Sequence, residues 1–179
     1  MHKLVIKLFA EKDSFGPTEF IPIFHRWIQT HAIADHLLID VADYAHVPAG
    51  PGTLLVASEA NIHMDRGANR LGLMYVRKLP IAGATTFAQT LRGVFGYALS
   101  IADLMEKEPA LDGRLKLRRD EIAIRFNDRL NTPNTTLEFE KIKSAVQAVA
   151  TELFGKGTTV ERGPTTPGQL LEVIVRAPV

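Results

Sequence analysis

Apolar and polar positions alternate first over residues 3–10, where Leu4, Ile6 and Leu8 are interleaved with Lys3, Val5 and Lys7. A period of two with β-branched residues predicts a strand. After Gly16 and Pro17, Thr18 is placed to cap a helix that carries Phe20, Phe24, Trp27 and Ile28 on one face, with Pro22 tolerated in its first turn. A second strand follows over residues 37–44, so residues 3–44 read as a βαβ unit with parallel pairing between its strands. The loop HVPAGPG closes that unit. Residues 53–65 then alternate again, with Leu54, Val56, Ala60, Ile62 and Met64 expected on one face and Glu59, Asn61, His63 and Asp65 on the other. Turn chemistry in DRGANR returns the chain along residues 71–77 as a hairpin.

The spacing changes to steps of three and four over residues 84–106, where Phe87, Leu91, Val94, Phe95, Ala98, Ile101, Ala102 and Met105 predict the longest helix, stopped by Pro109. In LKLRRDEIAIRF, a tight hairpin with Leu117 opposite Ile122 would align Leu115 and Leu117 with Ile122, Ile124 and Phe126. A single bent strand is the alternative. Thr135 and Glu138 form a capping-box pattern ahead of Phe139, Ile142, Val146, Val149 and Leu153, which predicts a third helix ended by Gly155 and Gly157. Two last strands cover residues 160–162 and 170–176.

This order predicts one α+β domain over residues 1–179: a two-layer sandwich with a mixed, mainly antiparallel sheet and about three helices on one face. The recurrence of strand, helix and return strands in residues 4–60 and 122–176 also fits a diverged ferredoxin-like duplication. Phe24, Trp27, Phe95, Ile124, Phe126, Ile142, Val146, Val173 and Val175 are expected in a shared core.

Composition adds mainly exclusions. The 179 residues carry 21 basic and 20 acidic side chains, a formal net charge of +1, so no global field steers a polyanion or an anionic membrane. Without cysteine there are no disulfides, thiolate nucleophiles or Cys-type zinc sites. The opening MHKLVIKLFAEKDSF is too short and too charged for a signal peptide or membrane span, so a cytoplasmic protein without membrane association is expected.

Motifs for nucleotides and for nucleophilic catalysis are missing. Gly155, Lys156, Gly157 and Thr158 follow a helix and lack the earlier glycine of a phosphate loop, and no GxGxxG or GxSxG occurs. Metal binding fares little better: His25 and His31 are wrongly spaced for one helix face, and Glu59 and His63 lie about 13 Å apart along a strand. His63 and Asp65 share a strand face, yet only His46 could supply a second imidazole, and no metal or other cofactor is assigned.

Two polar collections remain. Asp43, His46, Glu59, Asn61, His63 and Asp65 gather where the HVPAGPG loop meets the 59–65 strand, and a His beside a carboxylate there could serve ligand binding or acid–base chemistry. Arg125, Asn127 and Arg129 precede the capped helix, where free backbone N–H groups and guanidinium charge favour an anion. The basic alternation at Arg114, Lys116, Arg118 and Arg119 would support only weak nucleic-acid binding, because no aromatic residue is interleaved. Gly93 and Gly96, inside the long helix, suggest a close helix contact of the kind a homo-oligomer makes. Together these features predict non-catalytic binding of a small ligand or protein partner by a homo-oligomer, with an enzyme using residues 43–65 as the second reading and nucleic-acid binding as the third.

Overall fold

The computed structural model describes residues 3–16, 18–44, 46–47, 50–164 and 168–178. Within them lie the strands β1 (Leu4–Ala10), β2 (Leu38–Tyr44), β3 (Gly52–Ala57), β4 (Ala60–Asp65), β5 (Gly72–Arg77), β6 (Leu117–Phe126), β7 (Thr159–Arg162) and β8 (Leu171–Arg176), with helices α1 (Ile21–Thr30), α2 (Phe87–Glu106) and α3 (Thr136–Phe154). The strands form one eight-stranded sheet in the order β2-β3-β4-β5-β1-β6-β8-β7. Every pairing is antiparallel.

The parallel pairing expected between β1 and β2 does not form. β2 runs in the same direction as β1 but at the far edge, because the meander β2-β3-β4-β5 walks back across the sheet on short connections and places β5 beside β1. Short antiparallel connections outcompete a direct parallel contact here.

All three helices cover one face. Leu4, Ile6 and Leu8 of β1, Ile124 and Phe126 of β6, and Val173 and Val175 of β8 meet Phe24 and Trp27 of α1, Phe95 of α2, and Ile142 and Val146 of α3 in one buried cluster. Every residue of the expected core belongs to it. α1 begins after a turn at Thr18 and has no side-chain cap, contrary to the role expected for Thr18; its Trp27 indole N–H and Arg26 both engage the buried Glu108 carboxylate instead. A capping box of Thr86 and Gln89 starts α2, and the Thr135 hydroxyl accepts the Glu138 N–H at 3.2 Å at the start of α3.

β6 is a single strand, not the tight hairpin. Its register jumps from Leu8↔Ile122 to Ala10↔Leu117, so two steps on β1 face five on β6. That bulge absorbs Arg118, Arg119, Asp120 and Glu121 and puts Leu117 back in phase with Ile122, Ile124 and Phe126 on the helix side. The alternation predicted over residues 53–65 also breaks, at Ser58 and Glu59, where the chain turns. Leu55 pairs with Ile62 and joins the core, whereas Leu54 and Val56 pair with His63 and Asn61 and face away from the helices. Ala57 and Ala60 both point inward, so the turn shifts the phase by one residue.

The β2 edge is blunted against further strand pairing. A bulge interrupts its register between Leu38 and Asp40, and the Asp40 carboxylate accepts the Val41 N–H at 2.7 Å. The helix glycines do not act as a pair. A Cβ at Gly93 would lie 3.0 Å from Ile81, whereas one at Gly96 would meet nothing within 4 Å. Gly96→Ala should therefore stabilise the protein by about 0.5–1 kcal/mol through helix propensity alone. Gly93→Ala should gain less or lose stability, since Ile81 must give way; urea unfolding of the two variants against the parent decides this.

Candidate functional site

The face without helices is built from the outward residues of eight strands, and register fixes its rows. One row runs Leu54, His63, Met74, Lys7, Ala123, Ile174; the next runs Val56, Asn61, Val76, Val5, Arg125, Glu172. β4 thus brings Asn61, His63 and Asp65 onto one side, as the period of two requires.

Lys7 is 0% exposed on this face. Its ammonium donates to Asp65 Oδ2 at 2.5 Å, to Arg70 O at 2.9 Å and to Gly67 O at 3.2 Å, which uses all three of its N–H groups. The stem reaches Asp65 across Gly72, where a Cβ would fall 2.8 Å from Lys7 Cε and 2.5 Å from Leu8 O. Burial pushes the Lys7 ammonium below its ordinary pKa, against the Asp65 hydrogen bond and charge that hold it up. A saturated ammonium has no lone pair to offer, so Lys7 is an anchor rather than a nucleophile.

His63 differs in kind. It is 8% exposed, and neither ring nitrogen has a hydrogen-bond partner of good geometry among the described residues; Asn61 Oδ1 is likewise buried without one. Burial drives the His63 pKa below the ordinary 6.5, and the Asp65 charge and the nearby Pro51 carbonyl only partly oppose it. The ring is therefore held neutral, offering one donor and one acceptor, with Asn61 Oδ1 adding an acceptor two residues along the strand.

A second polar cluster, on the helix side, was not singled out from sequence. His36 Nδ1 lies 2.8 Å from Ala34 O and its Nε2 2.9 Å from the Tyr75 hydroxyl, which also accepts from Arg77 Nη1 at 3.0 Å. Donation to Ala34 O fixes the proton on Nδ1, so the Tyr75 O–H donates to Nε2. Arg77 further donates to Leu79 O and Pro80 O, and the Tyr97 hydroxyl donates to Asp35 at 3.1 Å. Burial pushes the Tyr75 phenol up to about 12 and lowers His36. Every polar atom of His36 and Tyr75 in this network has its partner, which leaves no bonding capacity for a substrate. Its only sequence signal was the lone His36, because Tyr75 and Arg77 come from a distant hairpin.

The remaining predicted residues disperse. Glu59 sits in the β3–β4 turn, off the β4 row, and accepts the Leu37 N–H at 2.8 Å. His46 is exposed in the β2–β3 connection while His63 is buried, and Asp43 is exposed on β2; Pro48 and Ala49 of the HVPAGPG loop lie outside the described residues. Arg125 pairs with Glu172 on the outer face, and the Asn127 N–H donates to Lys3 O at 2.7 Å. Arg129 is exposed on the turn after β6. The anion-binding helix end expected beside them is already filled, since Thr135 caps α3 and Arg162 donates to Asn134 O and to the Thr136 hydroxyl. The arginines of the basic segment are neutralised: Arg114 pairs with Glu19, Arg118 with Asp120 and Glu121, and Arg119 with Asp103 and Glu106.

No known protein family matches this sequence, and no curated protein or solved structure is similar to it. Among the described residues no group of three His, Asp or Glu side chains could hold a metal ion, and no helix is long and apolar enough to cross a membrane.

Both buried histidines make stability depend on pH. Their folded pKa values lie below 6.5, so below about pH 6.5 the unfolded chain binds protons that the folded chain refuses, and stability falls as pH falls. The loss should begin as pH falls through 6.5, above the range in which paired carboxylates such as Glu121 protonate. Unfolding free energies across that window should show a shallower slope for His63→Leu than for the parent.

Proposed function

We infer that this protein is a non-catalytic binding domain whose ligand is a small uncharged polar molecule held on the helix-free face by Asn61 and His63. The observation that carries this reading is the buried imidazole of His63 beside the buried Oδ1 of half-buried Asn61, atoms without a hydrogen-bond partner of good geometry among the described residues, on one strand. Leaving a buried donor or acceptor unpaired costs about 1–3 kcal/mol, and a fold that tolerates several on one face is supported by a partner that completes them.

The ligand's chemistry follows from what is left open. It should bring donors for Asn61 Oδ1 and one imidazole nitrogen and an acceptor for the other, as amides and nitrogen heterocycles do. It should be uncharged, because Leu54 and Met74 flank His63 in its row and the nearest carboxylate, Asp65, is committed to Lys7. That same commitment favours binding over acid–base chemistry: His63 lacks a free carboxylate to orient it, and Glu59 lies in the turn before β4. The reading needs no second copy of the chain.

If His63 is kept polar for a ligand, removing its polarity should help the empty protein. His63→Leu should raise stability by about 1–2 kcal/mol, because the unpaired nitrogens disappear into an apolar row. A thermal-shift screen of uncharged amides and heterocycles, from urea and nicotinamide to free nucleobases, should stabilise the parent and leave both His63→Leu and Asn61→Leu unmoved. A His63→Leu protein less stable than the parent, together with a screen in which nothing binds, would overturn the assignment.

A further inference from the structure

We propose that the cleft lined by Gly67, Ala68, Arg125, Arg129, Gly168 and Glu172 is an anion site that takes a phosphoryl-type oxyanion between the guanidinium groups of Arg129 and Arg125. The cleft has a volume of about 480 Å³. It is separate from the His63 row and does not rest on that reading.

The arginines of the described residues are almost all engaged. Arg66, Arg70, Arg92, Arg114, Arg118, Arg119 and Arg176 each pair with a carboxylate. Arg129 has no ion pair or hydrogen bond among the described residues and opens onto the cleft. Beside it, Arg125 donates through Nε to Glu172, and its Nη1 reaches only Met74 Sδ at 4.0 Å. Glu172 thus orients one edge of the Arg125 guanidinium and leaves Nη2 without a protein partner among the described residues. With Lys7–Asp65 and Arg125–Glu172 cancelling pairwise, the surplus charge at the cleft is the single positive charge of Arg129.

The turn after β4 lines the same cleft and leaves room in it. Gly67 and Ala68 bring no side chain beyond a methyl group, and Ala68 and Asn69 are held at φ 57° and 56°, a left-handed conformation that non-glycine residues rarely adopt. Lys7 fixes this turn from beneath by binding the carbonyls of Gly67 and Arg70. A planar guanidinium with free N–H groups on one edge matches two oxygens of a phosphoryl group, which is the geometry expected from Arg125 and Arg129 together.

The probe is inorganic phosphate, titrated at low ionic strength into the full chain and followed by amide chemical shifts at residues 67–69 and 125–129. Phosphate should bind in the millimolar range or tighter, with chloride at equal ionic strength producing no comparable shifts. Arg129→Gln should weaken binding at least tenfold without changing thermal stability, since the side chain has no partner to lose. Glu172→Gln should tighten binding several-fold, because it releases Arg125 to the anion, and His63→Leu should leave it unchanged. Phosphate shifts that persist in Arg129→Gln, or that weaken in a folded Glu172→Gln protein, would overturn the proposal. Should Glu172→Gln fail to fold, Arg129→Lys decides in its place: a retained charge without the planar fork should lose several-fold in affinity, and undiminished binding would count against the site.

Discussion

A sheet covered by helices on one side only must solve its other face with its own side chains, and here the solution is a buried lysine. Lys7 occupies the central strand with no exposed surface. Removing an ammonium from water costs several kcal/mol unless its partners replace the hydration shell. Asp65 supplies the countercharge and the carbonyls of Gly67 and Arg70 supply the remaining acceptors. The consequences spread outward from that demand: Gly72 must lack a side chain, the turn of Gly67–Asn69 must fold back over the sheet, and Arg70 is brought to stack on Phe9 at 3.7 Å while pairing with Glu121. The pieces that make this face a surface with clefts, instead of a flat polar row, all depend on the ammonium being satisfied.

The same criterion separates scaffold from site. His36, Tyr75 and Arg77 look more like an enzyme's machinery than His63 does, with an imidazole, a phenol of raised pKa and a guanidinium in contact. Yet each of their hydrogen-bonding atoms is used, and a closed network of this kind pins the α1–β2 connection, β5 and α2 together. His63 and Asn61 have less company and more open capacity. Buried polar atoms are so regularly paired in folded proteins that the unpaired ones carry the information about what the protein meets.

Much of the fold was legible because it followed from period. The three helices, the β4–β5 hairpin and the whole expected core could be read from apolar spacing, since each of those residues had only one face on which to be buried. What was lost was phase and partner. Whether Leu117 returns to register by a hairpin or by a four-residue bulge cannot be told from a pattern that both satisfy, and only the pairing of β6 along the whole of β1 chooses between them. The Ser58–Glu59 turn likewise looks like continued alternation, although it swaps Leu54 for Leu55 at the core and moves Glu59 away from His63. At the site, sequence placed Asn61, His63 and Asp65 together correctly on one face. It assumed that a face without helices is wet, and so missed that Lys7 would claim Asp65 and that His63 would be buried.

Lys7 also sets how the two candidate sites relate. By register Asn61 and Arg125 share a row, separated by β5 and β1, so at about 4.8 Å per strand they stand roughly 14 Å apart. Lys7 lies between them in the adjacent row, bonded on one side to Asp65 of the His63 strand and on the other to the Gly67 carbonyl that forms the wall of the anion cleft. A small ligand cannot span that distance across a buried side chain, so the two candidate sites would take separate groups. They are nevertheless joined by one rigid contact, and a shift of the Gly67–Asn69 turn would have to pull on the ammonium that holds Asp65. Coupling through a single saturated lysine is stiff: neither Asp65 nor the Gly67–Asn69 turn can rearrange without unpairing a buried charge, so the backbone that both candidate sites share would be preorganised.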